Sequence, residues 1–148
     1  MPTKDELYTF AMELFETAKN ELTRDGSVMH QHILLKRDDT KLCLLVASCH
    51  TQDHKDMIAR QLKAVAPACK AVGTIFEAWM AENSDGNTPP SSDPNRFEAI
   101  WVSVQSEEGT WCLTSKFGRD PRGKPCTPSH PEAAWNTLQD GRYANLYG

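Results

Sequence analysis

The chain opens with a run whose apolar positions repeat every three or four residues. Leu7, Phe10, Ala11, Leu14, Ala18 and Leu22 fall on one stripe of a helix reaching about Thr23. Thr3 and Glu6 stand in the T-x-x-E relation of a capping box, so the helix starts there, and Asp25-Gly26 ends it. The pattern then becomes extended. Val28 to Lys36 and Lys41 to Ala47 are two strand-like runs joined by the polar turn Arg37-Asp38-Asp39-Thr40, which predicts a β-hairpin. The second run is apolar from Leu42 to Ala47, as in a strand covered on both faces, and is expected near the sheet centre.

Thr51 can cap a second helix, with Asp53 at the positive end of its dipole and Met57, Ile58, Leu62 and Val65 as its buried side, stopped by Pro67. From Ala71 to Met80 the period returns to two. Val72, Thr74, Phe76, Ala78 and Met80 share one face, and Ile75, Glu77 and Trp79 the other. A polar loop follows from Glu82 to Asn95, too rich in Asn, Ser, Asp, Gly and Pro to pack. Arg96 to Gln105 and Thr110 to Phe117 read as a second hairpin through Ser106-Glu107-Glu108-Gly109. After a loop from Gly118 to Pro128, Ser129-His130-Pro131-Glu132 repeats the capping-box pattern and predicts a short helix pinned by Trp135 and Leu138.

The predicted order is α-β-β-α-β-β-β-α: an α+β fold with a five-stranded, mostly antiparallel sheet and helices on one face. The crossover through the second helix would make strands two and three parallel neighbours, in the right-handed sense. There is no internal repeat, and 148 residues suit a single domain spanning 1–148.

Composition narrows the function. A net charge of −4 lacks the basic excess with which nucleic-acid binders displace counterions, which makes nucleic acid an unfavoured partner. The five cysteines, Cys43, Cys49, Cys69, Cys112 and Cys126, have irregular spacing and no C-x-x-C pair, fitting reduced thiols in the cytoplasm. Neither a secretory signal nor an apolar run near the ~18 residues of a membrane span is expected.

Candidate chemistry is sparse. His30 and His32 alternate along a strand and point the same way, while His50 and His54 bracket the second helix start with Cys49 beside them. Their spacing matches no zinc pattern, so neither a metal nor another cofactor is expected. Cys49-His50 is the nearest approach to a nucleophile and base, but adjacent strand residues point to opposite faces. No Gly-rich phosphate motif occurs. The basic loop holding Lys116, Arg119, Arg122 and Lys124 could gather an anion through guanidinium forks and backbone N–H groups; the plainer reading is a solvated loop.

The most distinctive stretch is Glu77-Ala78-Trp79-Met80 followed by Pro90-Ser91-Ser92-Asp93-Pro94-Asn95-Arg96-Phe97-Glu98. Over about residues 71–104 it resembles a family of small bacterial and phage proteins with an E-A-W-M strand and a P-S-x-x-P-x-R-x-E entry to the next. That resemblance implies a shared strand–loop–strand unit and carries no activity. The residues themselves allow two readings. Arg96 can pair with Glu77 across the sheet, a contact of about 0.2–1 kcal/mol, or Glu77, Trp79, Asp93, Arg96 and Glu98 can line a polar cleft for acid–base work or recognition of a cation.

The expectation is a cytoplasmic accessory or interaction protein of phage or mobile-element origin. It would bind rather than catalyse, through exposed loops and a sheet edge, as a homodimer or with a protein partner. The alternatives are a metal-dependent or acid–base hydrolase using Glu77, Glu98 and the histidines, and an anion or nucleotide binder using the 116–124 loop.

Overall fold

The computed structural model describes residues 2–46, 51–80, 94–136 and 144–147. The expected capping contact forms: Thr3 Oγ1 accepts from the Glu6 N–H at 3.1 Å and starts helix α1, Lys4–Asp25. Gly26 ends it in the left-handed region, φ 79°, its N–H returning to Leu22 O at 2.9 Å. The six strands are β1 (Gln31–Lys36), β2 (Lys41–Leu45), β3 (Cys69–Met80), β4 (Phe97–Gln105), β5 (Thr110–Phe117) and β6 (Glu132–Trp135). Helix α2 (Gln52–Val65) and a 3₁₀ turn containing Pro67 join β2 to β3. One sheet runs β2-β1-β3-β4-β5-β6, and every neighbouring pair is antiparallel.

Four expectations are corrected. The sheet has six strands because residues 132–135 form β6 instead of a short helix. Ser129 does not cap Glu132: its N–H and hydroxyl both bond Lys116 O, at 3.0 and 3.3 Å, and its carbonyl accepts from the Ser115 hydroxyl. The open edge of β5 then captures the following residues, with Trp135 opposite Trp111 and the rings 5.1 Å apart. Tertiary pairing overrides the local helix signal there. Leu138, the other expected anchor, lies outside the described residues.

The second correction concerns the crossover. β1 lies between β2 and β3, so β2 and β3 run the same way without being neighbours. Third, the helices take opposite faces, as strand alternation requires of their contacts. The α1 stripe packs with Ile33, Ala71, Ile75, Val102 and Leu113. Leu62 of α2 packs with the alternate residues Leu34 and Val72, joined by Leu146 from the chain's end. Of α2's expected buried side, only Leu62 is fully covered; Met57 and Val65 are exposed. Fourth, β2 is an edge strand, exposed throughout.

α1 lies close to the sheet because Gly73 leaves room for Leu14; a Cβ there would collide with Leu14 Cδ1. Its first residue is held too, the Trp111 indole N–H donating to Lys4 O at 2.9 Å. The variant Gly73→Ala is expected to lower stability by roughly 1–2 kcal/mol, since the buried leucine must shift in a packed core. Urea unfolding followed by circular dichroism measures it.

Candidate functional site

In the β3–β4 register Trp79 faces Glu98 and Glu77 faces Ile100, so the two carboxylates share the α1 face. Glu98 in turn faces Phe117, the last residue of β5, and Arg119 follows two residues later. Arg119 closes over both acids. Its Nε donates to Glu98 Oε2 at 2.7 Å and its Nη2 lies 3.7 Å from Glu77 Oε2. Its Nη1 donates to Gly26 O at 3.1 Å and Gly123 O at 2.9 Å, while Glu77 Oε1 accepts the Val28 N–H at 2.6 Å. The Glu98 hydrogen bond, with the two negative charges, holds the guanidinium more firmly protonated than usual despite partial burial.

The cross-strand partner expected for Glu77 is thus replaced: Arg119 answers it. Arg96 precedes β4, and its guanidinium stacks over the Trp79 ring at 4.8 Å from the centroid. Asp93 of the expected cleft, and most of the 82–95 loop, lie outside the described residues.

The basic loop separates into different jobs. Lys116 stands over the Phe97 ring at 4.3 Å. Asp120 Oδ1 accepts the Arg122 and Lys124 N–H groups, both at 2.9 Å, and the Gly123 N–H bonds Asp120 O at 2.9 Å. The backbone donors expected to gather an anion are therefore engaged by Asp120 itself. Gly123, φ 82°, supplies the left-handed residue of this turn.

His32 pairs with Thr74 in the β1–β3 register, and that face is opposite the one carrying Glu77 and Glu98. His30 and His32 consequently do not converge with the acid pair. The His30 and His32 rings lie 5.0 Å apart, as their alternation predicts, and His32 Nδ1 is 2.9 Å from Thr74 Oγ1. Burial, with the positive charge of His30 nearby, pushes His32 down to about 3; burial and then Lys55 lower His30. His54 donates its backbone N–H to the Thr51 cap. Cys49 and His50 lie outside the described residues, and among the described residues no group of three His, Cys, Asp or Glu side chains forms a metal site.

A surface the hydrophobic pattern pointed to, but misplaced, is β2. Leu42, Leu44 and Leu45 are 44%, 40% and 61% exposed. A groove of about 560 Å³ runs between β2 and α2, lined by Leu34, Leu42, Leu44, Ile58, Leu62 and Val65 among others, with Gln61 its polar residue and no charged side chain. The backbone completes the picture. Thr40 O accepts the Lys36 N–H at 2.8 Å and the Val46 N–H donates to His30 O at 3.0 Å, so even-numbered positions face β1. By alternation Lys41, Cys43 and Leu45 turn their N–H and C=O groups outward, with no neighbouring strand among the described residues. The missing signal was long-range: an uninterrupted apolar run does not distinguish a strand covered by its own fold from one that covers another chain.

Among the described residues no helix is long and apolar enough to cross a membrane. Neither the curated proteins nor the solved structures contain a match to the chain. The family model described as Bacteriophage lambda protein ea47 matches residues 2–124, which takes in α1 through β5 and the Arg119 cluster. The chain belongs to that phage protein family.

Proposed function

We propose that this phage protein is a cytoplasmic accessory protein that works by binding a polypeptide at the β2 edge, not by catalysis. The observation that carries this reading is an edge strand of exposed leucines beside an uncharged groove. Natural edge strands are ordinarily blunted with charge, proline or a covering segment, and this one carries a single charge, Lys41, at its start. Strand addition supplies affinity through the backbone and selectivity through side-chain pockets. The acid pair lends no support to hydrolysis, because Arg119 and the Val28 N–H already occupy it.

A photoreactive benzophenone residue placed at Leu45 tests the reading in cells making the protein, with exposed Glu16 on α1 as control. Irradiation is expected to give polypeptide adducts, of this chain or another, from position 45 and not from 16. No adduct at 45, or equal adducts at both, overturns it.

A further inference from the structure

We propose that the polypeptide seated on β2 is the β2 strand of a second copy of this chain, paired antiparallel about a two-fold axis through Cys43. This deepens the binding reading above and rests on it. The outward backbone groups belong to Lys41, Cys43 and Leu45, a set symmetric about Cys43. Centring the pair there sets Cys43 against Cys43 and Lys41 against Leu45, and every outward donor and acceptor on both strands meets a partner. Shifting the register by two leaves an outward residue at each end unmatched.

The side chains suit the same arrangement. The core of β2 reads Leu42-Cys43-Leu44, so reversing the strand places leucine beside leucine on the α2 face. An axis perpendicular to the sheet keeps each face continuous across the join, as an isologous contact requires. Both grooves then open on one face, each lined on its α2 side by the exposed Val65. On that face Leu42, Leu44 and Val65 are exposed apolar residues lining the groove, the kind of surface that marks an interaction site. The arrangement sets no charge against a like charge. Lys41, which reaches Glu13 of its own chain at 3.0 Å, faces Leu45 of the other copy.

That last pairing makes the register testable by charge. Sedimentation of the purified full chain under reducing conditions is expected to show twice the 16.6 kDa chain mass, with dissociation on dilution. Leu45→Lys would set lysine against lysine and weaken the dimer at least tenfold, whereas Leu45→Glu, facing Lys41, would not. The double variant Lys41→Glu/Leu45→Lys would restore association. Leu45 is exposed, so both single variants are expected to keep the fold, and the double variant to keep it while giving up the Lys41–Glu13 pair; far-ultraviolet circular dichroism of the three checks this. A short bismaleimide should also join the two Cys43 thiols, their Cα atoms about 5.5 Å apart, in a Cys49→Ser/Cys126→Ser background. A monomer at every concentration, or a dimer indifferent to the sign of the charge at position 45, overturns the proposal. If the monomer still gave photo-adducts with other polypeptides from position 45, the binding surface would stand and self-pairing alone would fall; absence of any adduct would remove both.

Discussion

Acidification from about pH 6.5 to pH 4 is expected to remove roughly 3 kcal/mol of stability, most of it through His32. The unfolded chain takes up a proton on this imidazole near its ordinary value of 6.5, whereas the folded chain resists until about 3. Between those values the unfolded state binds more protons, so stability is complete above pH 6.5 and declines at about 1.4 kcal/mol per pH unit as pH falls. The cause is burial: His32 has no exposed surface and sits between His30 and the Thr74 hydroxyl. His30, lowered for similar reasons, steepens the same limb. Carboxylates held below their usual range, such as Asp38, lose their contribution only at lower pH, so pH 5–6.5 reports chiefly on the histidines. Urea unfolding across that window measures the slope, and in His32→Gln it should flatten. An unchanged slope in that variant would refute the assignment.

Arg119→Met is expected to destabilise the protein by about 2–3 kcal/mol, below the 3–5 typical of a fully buried pair because the cluster keeps partial contact with water. The Arg119 side chain is 29% exposed, Glu77 22% and Glu98 17%. Removing the guanidinium leaves two carboxylates facing each other without their shared cation, and strips a donor from Gly26 O and Gly123 O. The penalty therefore comes mainly from what is abandoned, and the triple variant Arg119→Met/Glu77→Gln/Glu98→Gln should regain at least half of it. Denaturant midpoints of both variants decide this. If Arg119→Met were neutral, the cluster would be a surface contact only. Since Arg119 joins the turn after α1, β3, β4 and the loop after β5, its loss should also loosen residues 118–126 ahead of the sheet.

The local signals were readable where a single element decides its own state. Thr3, Gly26 and the three-four spacing of α1 needed nothing beyond their neighbours, and Ser106 to Gly109 announced their hairpin. β6 was not readable because Glu132–Trp135 has helix-compatible residues, and the open edge of β5 claims them. Arg119 could be found as part of a basic loop, but its partners are chosen by the fold: only the β3–β4–β5 registers bring Glu77 and Glu98 beneath it. β2 was legible as a strand and misplaced in the sheet, since its continuous hydrophobicity arises at a surface.

The docking of Lys4 against the indoles of Trp111 and Trp135 carries one more consequence. Their rings are 5.1 Å apart and tilted by 53°, with the Lys4 ammonium 5.4 Å from each centroid. Two indoles this close and oblique couple their electronic transitions, and the resulting optical couplet exists only while β6 lies on β5. The last strand of the sheet thus carries its own chromophore pair, and a detached β6 can be told by its spectrum from a chain that has melted throughout.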